Sequence, residues 1–363
     1  MGFKCGIIGL PNIGKSTLFN ALTKANVATE NFPFCTIEPN IGMVTVPDKR
    51  LDQLAHIAQS KKIISTTIQF IDIAGIIKHA SKGHGLGNQF LNEIRKVDAI
   101  AHVVRCFEDK NIIHVNNEIN PIDDIDIINS ELILADLEIC ERKIGRMKKK
   151  IHINNIEEKK ILSILIKCLT HLESGYMLRN LLINHNDYNI IKNMNFLTSK
   201  PNMYIANINE YKNINNHYIN KIDKIAQRDK SIVIPINAAA EEYIIQLNQN
   251  KYKKYINELE NRESGLNLMI THGYNLLNLK TFFTVGNLET HAWTFTNGTT
   301  ASEAGGIIHT DLKKGFIKAQ VISCNDYITY RGEHGVKEAG KIRVVGKNYQ
   351  IKDGDIIKIL YKI

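Results

Sequence analysis

Cysteine, proline and tryptophan are scarce in this sequence. Its 363 residues include 6 cysteines, 7 prolines and 1 tryptophan. The cysteines are scattered and none forms a C-x-x-C pair, which argues against a disulfide framework or a zinc site. No apolar run is long enough to cross a bilayer, and the N-terminus does not resemble a signal peptide. We therefore expect a soluble, cytoplasmic protein with no membrane partner.

The chain is nevertheless rich in apolar residues and carries an excess of positive charge. Apolar residues make up 44% of the sequence, which is enough for packed cores, and the length predicts two or three domains. The formal net charge of +9 favours an anionic partner such as RNA. A general over-use of lysine, asparagine and isoleucine explains the charge equally well, so both explanations stay open.

The most specific motif lies near the N-terminus. Residues 9–17 read G-L-P-N-I-G-K-S-T and match the phosphate-binding pattern G-x-x-x-x-G-K-[ST]. An apolar strand pattern at residues 3–8 precedes the motif and a helix pattern follows it, which is the context that it requires. A loop with glycine at both ends can turn its N–H groups toward phosphate, and the helix adds its positive end. The motif therefore predicts a P-loop.

The consecutive residues inside this motif are the predicted nucleotide contacts. Lys15 would place its charge on the β- and γ-phosphate oxygens, which also gives it a catalytic role, and Ser16 would offer its hydroxyl to Mg²⁺. The full predicted set is Asn12, Ile13, Gly14, Lys15, Ser16 and Thr17.

Two further segments supply residues that a P-loop switch enzyme closes on its nucleotide. The loop at residues 29–40 contains Thr36, the candidate for a mobile ligand of Mg²⁺ and the γ-phosphate. Asp72 ends a strand pattern and begins a D-x-x-G motif, so we expect it to hold the Mg²⁺ shell through water and Gly75 to bind the γ-phosphate. Ile76 stands where Ras-like GTPases have a water-orienting glutamine, so hydrolysis is slow or another group positions the water.

The loop expected to read the base departs from the pattern for guanine. GTPases carry N-K-x-D after a strand, whereas residues 207–210 read N-I-N-E. Replacement of the lysine and aspartate by Ile208 and Glu210 argues against guanine, and Ile208 would offer an apolar surface under a purine. We therefore assign Asn207, Ile208 and Glu210 to base binding. A literal N-K-x-D at residues 220–223 lies in a helical pattern with no strand before it, and we reject it.

The remaining segments predict an insertion and a second module. Residues 129–200 carry a heptad seam typical of an antiparallel helical hairpin, with a basic cluster that either contacts RNA phosphate or is a solvated face. Short alternating strands after residue 280 predict a β-grasp module. The predicted domains are 1–128 and 201–279 for the two parts of the nucleotide-binding domain, 129–200 for the insertion and 280–363 for the module.

Taken together, the motifs resemble those of the Obg-like ATPase family, YchF, over essentially the whole chain. The resemblance rests on residues 9–16, 31–40, 72–75 with the apolar residue after them, and 207–210. It implies an α/β fold of the P-loop NTPase class, with a Ras-like G domain whose mixed sheet has helices on both faces. It also implies a coiled-coil insertion and a C-terminal β-grasp domain of the TGS type.

The resemblance further implies a function. It indicates a protein that prefers ATP to GTP, hydrolyses it slowly with Mg²⁺, and allows K⁺ as an accessory ion that Asn12 would help to coordinate. It implies that a histidine matching His114 assists hydrolysis, and that the protein acts on ribosomes in translation control or stress responses. We expect a monomer whose partners are ATP and the ribosome, including ribosomal RNA and proteins, but not DNA.

Two alternatives to this ATPase switch stay open at the level of sequence. One is an Obg-type GTPase in which Glu210 replaces the usual aspartate. The other is a nucleotide-gated ribosome-binding module whose turnover is incidental.

Overall fold

The computed structural model describes residues 3–24, 40–74, 85–109, 112, 119–150, 156–210, 217–245 and 264–362. Within these ranges the strands are β1 (Lys4–Ile8), β2 (Ile41–Thr45), β3 (Lys62–Ile64), β4 (Thr67–Asp72), β5 (Ala99–Arg105), β6 (Asn202–Asn207), β7 (Val233–Ile236), β8 (Leu279–Val285), β9 (Glu289–Thr296), β10 (Phe316–Ser323), β11 (Arg343–Val345) and β12 (Asp355–Tyr361).

The helices of the described ranges vary widely in length. They are α1 (Lys15–Lys24), α2 (Lys49–Ala58), α3 (Gly85–Arg95), α4 (Pro121–Lys150), α5 (Ile156–Glu173), α6 (His185–Asn193), α7 (His217–Arg228), α8 (Ala238–Ile245), α9 (Gly265–Leu276), α10 (Ala301–Ile308), α11 (Thr310–Lys314), α12 (Cys324–Thr329) and α13 (Glu333–Glu338), with a 3₁₀ turn at Leu178–Asn180.

The chain folds into two compact units, each discontinuous in sequence. The first unit comprises residues 1–44 and 69–269, and the second comprises residues 45–68 and 270–363. Residues 45–68, which the sequence groups with the nucleotide-binding part, therefore belong with the C-terminal residues in this division.

The first unit is built on a six-stranded sheet with the order β2-β4-β1-β5-β6-β7. The strands β4, β1, β5, β6 and β7, which are neighbours in this order, are parallel to one another. Their residues are mostly buried, as expected for a sheet covered on both faces. Hydrogen bonds from the Asp72 N–H to the Asn40 carbonyl and from the Val46 N–H to the Thr66 carbonyl make β2 antiparallel to β4. The register sets Ile7 opposite Asp72 and Arg105 opposite Asn207. The carboxyl ends of β1, β4, β5 and β6 consequently lie at one edge, where such sheets bind ligands.

The helical hairpin expected in the insertion is present and begins earlier than its heptad seam. Pro121 starts α4 at the first helical position, where its missing N–H costs no hydrogen bond. The seam of α4 and α5 forms a cluster in which Cys140, Leu165, Cys168 and Leu172 are buried and the flanking residues are partly buried. Residues 151–155, between the two helices, lie outside the described ranges.

The second unit contains a mixed sheet with the order β11-β10-β12-β8-β9-β3. The short strands predicted after residue 280 begin with β8 and β9, which pair antiparallel, and the helix α10 follows them. Thr300 caps α10 through a capping box with Glu303. One apolar cluster of this unit contains α10 residues and the β8 and β9 side chains Phe282 and Phe295. This arrangement confirms a β-grasp type of module.

The α2 and β3 segments were not foreseen as part of this module. Leu51 and Leu54 of α2 are buried with Phe283 and Ile356 in an apolar cluster, and β3 pairs in parallel with β9. Arg50 forms ion pairs with Asp48 and Asp353 at 2.8 and 2.7 Å. The fold class predicted from the sequence is confirmed. None of the helices in the described ranges is long and apolar enough to cross a membrane.

Candidate nucleotide-binding site

The loop between β1 and α1 has the backbone that its glycines predict. Gly9 and Gly14 adopt φ angles of 157° and 87°, which residues other than glycine rarely adopt. Asn12 has a φ of 62°, and asparagine occupies this left-handed region more often than most residues. A Cβ added to Gly9 would collide with the Ile13 side chain and lie 2.8 Å from the Val103 carbonyl oxygen. The chain can therefore take this tight curve only with glycine at that position, and the Leu18 N–H bonds back to the Gly14 carbonyl at 3.0 Å as α1 begins.

Asn207 connects this loop to the loops that follow β6 and β7. Its side chain is buried, and its amide nitrogen donates to the Ile13 carbonyl at 2.8 Å. Its amide oxygen accepts from the Ala238 N–H at 3.2 Å. A Cβ on Gly14 would collide with the same amide nitrogen. Asn207 was predicted to contact the base, and the structure shows that its side chain also holds the phosphate-binding loop in place.

Lys15, Ser16 and Asp72 converge beside this loop. The Lys15 ammonium lies 3.5 Å from Asp72 Oδ1, and the Ser16 hydroxyl donates to Asp72 Oδ2 at 3.3 Å. Asp72 Oδ1 is buried and has no hydrogen-bond partner among the described residues. A buried carboxylate oxygen that accepts no hydrogen bond from the described residues, next to a hydroxyl, belongs to the kind of oxygen donor set that Mg²⁺ prefers. These residues therefore fit a magnesium ion held partly through water.

The predicted base loop has one side chain in a different place from that expected. Ile208 is only 1% exposed and packs in a core cluster with Tyr204, Ile219 and Ile222. The expectation that Ile208 offers an open apolar surface to a purine is therefore wrong for this structure. The Ile208 side chain points to the same side as the buried residues Tyr204 and Ala206 of β6 and packs against the apolar face of α7.

Two exposed residues follow Ile208 and remain available to a ligand. Asn209 and Glu210 are exposed, and the side chain of Asn237 donates to the Asn209 carbonyl. Asn237 also accepts from the Ala240 N–H at 2.9 Å and so caps the start of α8. The loops after β6 and β7 are thus joined by a hydrogen bond in addition to those of Asn207.

Arg105 is a buried residue that the sequence did not single out. It is 0% exposed at the end of β5, where its guanidinium donates to the carbonyls of Phe107, Asp109 and Ile112 at 3.1, 3.1 and 3.0 Å. These bonds hold the carbonyls of Phe107, Asp109 and Ile112 around the buried guanidinium of Arg105. The signal for it was an arginine at the end of an otherwise apolar strand, because a buried charge needs dedicated partners.

The cysteines in β1 and directly after β5 are not candidates for chemistry. Burial raises the pKa of the Cys5 thiol to about 12, with a smaller contribution from Asp98. Burial also raises the pKa of the Cys106 thiol, together with the negative charge of Asp124. Both thiols are therefore protonated at neutral pH and inert as nucleophiles. Thr36, Gly75 and His114 lie outside the described residues, so their predicted roles stay predictions.

A curved glycine-bounded loop before a helix, with a lysine, a hydroxyl and a strand-end carboxylate beside it, defines a P-loop nucleotide-binding protein. Two family models match the chain: one described as "50S ribosome-binding GTPase" over residues 4–136, and YchF-GTPase_C, described as "Protein of unknown function (DUF933)", over residues 279–362.

Full-length relatives narrow this class. "Ribosome-binding ATPase YchF" of Escherichia coli O157:H7 is 54% identical over 363 residues, covering 100% of both chains. The protein of the same name from Bacillus subtilis (strain 168) is 44% identical over 366 residues, again covering 100% of both. The solved structure of the Schizosaccharomyces pombe YchF GTPase has a TM-score of 0.90 and 36% identity, covering 99% of this chain and 98% of that one. The chain belongs to the YchF family.

Proposed function

We propose that this protein is a slow, Mg²⁺-dependent ATPase that associates with the ribosome and modulates translation or stress responses. The observation that carries the proposal is the group formed by Lys15, Ser16 and Asp72 beside the phosphate-binding loop. Asp72 Oδ1 is buried, lies 3.5 Å from the Lys15 ammonium and accepts no hydrogen bond from the described residues. This group suits the charge and the metal shell of a nucleoside triphosphate.

Each residue of this group has a distinct part in the proposal. The loop amides from Asn12 to Thr17 bind the β- and γ-phosphates, and the Lys15 ammonium neutralises the charge on their oxygens. Ser16 and, through water, Asp72 would hold Mg²⁺, which would supply positive charge beside the phosphate oxygens. Asn12 would contribute to a K⁺ site.

The hydrolytic step is assigned to residues outside the described ranges. Thr36 would be a further ligand of the metal, and the Gly75 N–H would bind the γ-phosphate. His114 positions the attacking water in place of the glutamine that Ile76 replaces.

ATP is the proposed nucleotide because the loop at 207–210 lacks the lysine and aspartate of the guanine pattern. Asn207 and the exposed Glu210 are the proposed base contacts. The relatives' names differ on this point, since the bacterial proteins are called ATPases and the Schizosaccharomyces pombe protein is called a GTPase. That difference keeps an Obg-type GTPase as the second candidate.

Association with the ribosome is proposed from the names of the bacterial relatives and of the N-terminal family model. It would place the protein in the cytoplasm, as a monomer in contact with ribosomal RNA and proteins. The net charge of +9 suits a polyanionic partner.

Equilibrium binding of fluorescent ATP and GTP analogues, with Mg²⁺ present, tests the nucleotide. We expect ATP to bind at least tenfold more tightly, which corresponds to about 1.4 kcal/mol. Glu210→Ala should narrow this preference, whereas Lys230→Ala, outside both base loops, should leave it unchanged. Equal or tighter binding of GTP would establish the second candidate instead.

Replacement of the metal-binding carboxylate separates a switch enzyme from a binding module. Asp72→Asn keeps the shape of the side chain but removes its charge, so we expect the Mg²⁺ concentration for half-maximal hydrolysis to rise at least tenfold. Co-sedimentation with ribosomes should then lose its dependence on ATP. A variant that no longer hydrolyses ATP but still sediments in an ATP-dependent way would favour the binding module.

A further inference from the structure

The first unit contains a basic groove between α3 and α4, closed at one side by the end of α6. Its volume is about 630 Å³. Arg95 of α3 and Arg142, Lys143 and Arg146 of α4 line it, and Glu138 is the one acidic residue in its lining. The groove therefore has a strong excess of positive charge and is distinct from the nucleotide-binding residues described above.

The α4 wall of the groove is a continuous face of the helix. Arg142 and Arg146 are four residues apart, so they project on the same side and are separated by about 6 Å along the axis. Glu138 approaches Arg142 only to 3.9 Å, and both side chains are more than half exposed. Such a pair contributes little and does not prevent the guanidinium from binding an anion.

The opposite wall is held by hydrogen bonds around the Lys200 ammonium. The Lys200 ammonium donates to the Arg95 and Val97 carbonyls at 3.2 and 2.6 Å and to the Asn195 side chain at 3.0 Å. Asn195 in turn donates to the Arg95 carbonyl at 3.3 Å. These bonds hold the C-terminal end of α3 and the residues after α6 together, so this wall of the groove is arranged before any ligand binds.

We propose that this basic groove binds the sugar–phosphate backbone of an RNA strand. The proposal rests on the proposed association with ribosomes and assigns one surface for it. Guanidinium groups bind phosphate in a bidentate way, and three arginines face the groove. Asn88, Asn92 and Asn195 add amides that can bond to phosphate or ribose oxygens. An acidic protein segment would satisfy the charges but not this combination of repeated guanidinium and amide groups.

The test measures binding of a fluorescein-labelled 16-nucleotide RNA by fluorescence anisotropy across a series of KCl concentrations. The groove variant is Arg142→Gln with Arg146→Gln. The matched control is Lys148→Gln with Lys167→Gln, which removes the same charge from exposed positions that do not line the groove. ATP binding and hydrolysis of each variant are measured in parallel.

Counterion release gives the size of the expected effect. Each phosphate contact to single-stranded RNA adds about 0.7 to the magnitude of the negative slope of log K against log salt, where K is the association constant. Loss of two contacts therefore makes the slope shallower by about 1.4. At 0.1 M KCl this corresponds to a loss of affinity of about 25-fold. We expect this loss for the groove variant, no comparable loss for the control, and unchanged ATP hydrolysis in both.

Three results would overturn the proposal. They are equal RNA binding by the groove variant and the wild type, an equal loss in the control variant, and binding of poly-L-glutamate but not of RNA by the wild type. If one of these results is obtained and the wild-type protein hydrolyses ATP, the groove proposal is refuted and the proposed ATPase stands. Wild-type protein that binds RNA through the groove but does not hydrolyse ATP would refute the ATPase and leave the groove intact.

Discussion

The side-chain amide of Asn207 donates a hydrogen bond to the Ile13 carbonyl at 2.8 Å, although 194 positions separate the two residues in sequence. Its amide oxygen accepts from Ala238 in the same site. One buried side chain thus holds the phosphate-binding loop against both loops at the carboxyl ends of β6 and β7. Changes at Asn207 should therefore affect stability and nucleotide affinity together.

Asn207→Ala tests this relationship. The change leaves a buried carbonyl at Ile13 and a buried N–H at Ala238 without partners, so we expect the free energy of unfolding to fall by about 1–3 kcal/mol. ATP affinity should fall about tenfold, because the loop loses its fixed position. Urea denaturation and titration with a fluorescent ATP analogue measure the two effects. Asn209→Ala is the control, because the hydrogen bond from Asn237 goes to the backbone carbonyl of Asn209, which the change retains. Equal effects of the two changes would contradict the assigned role.

Gly14→Ala should abolish tight nucleotide binding and lower the free energy of unfolding. The position has a φ of 87°, and a Cβ there would collide with the Asn207 amide. Gly175→Ala separates the two causes, because Gly175 has a φ of 79° but no atom within 4 Å of its added Cβ. We expect Gly175→Ala to cost about 1 kcal/mol in urea denaturation and Gly14→Ala clearly more.

The double variant Gly14→Ala with Asn207→Ala completes this test. Removing the Asn207 amide removes the atom that the new Cβ would meet, so the double variant should be more stable than the sum of the single changes predicts. Strict additivity would show that the backbone angle, and not the collision, causes the loss.

His114→Ala should slow hydrolysis without weakening the binding of ATP. A residue that positions water in the transition state contributes on the order of 10²-fold to the rate. Single-turnover hydrolysis with a radiolabelled nucleotide measures the chemical step, and a fluorescent ATP titration measures affinity. An unchanged single-turnover rate with intact binding would remove His114 from the mechanism.

Stability should decrease in acid because of His102. Burial lowers the pKa of this imidazole to about 3, aided by the positive charge of Arg179 and opposed by Asp229. The unfolded chain binds a proton below about pH 6.5, whereas the folded chain does not, so the free energy of unfolding should fall by about 1.4 kcal/mol per pH unit from about 6.5 down toward 3. His102→Leu should remove this part of the slope.

Urea denaturation at pH 7, 6 and 5 gives the comparison for both proteins. All other titrating groups are common to the two, so the difference between their curves isolates His102. Parallel curves would show that His102 is not kept neutral by the fold.

The parts of the fold that could be read from the sequence are those in which local pattern and tertiary role agree. The phosphate-binding loop needs glycine for its own backbone angles, so the sequence alone predicts it. The N-K-x-D match at residues 220–223 could be rejected because Ile219 and Ile222 share a helical face, and they are indeed buried in α7. In both cases the deciding interactions lie within a few residues.

The parts that could not be read depend on partners far away in the sequence. Nothing near Ile208 shows that α7 covers its side chain, and nothing near Asn207 shows that its amide reaches Ile13. The pairing of β3 with β9 likewise requires knowledge of a segment more than two hundred residues away.

The position of α2 also determines the order in which the molecule can be completed during synthesis. Leu51 and Leu54 pack with Phe283 and Ile356, and Arg50 bonds to Asp353, which follows it by 303 positions. At roughly 5–20 residues per second, a translating ribosome needs about 15–60 s to make the missing partners. Throughout that interval Leu51 and Leu54 are already synthesised, but the residues that will cover them are not. The second unit can therefore close only when the nascent chain is almost finished.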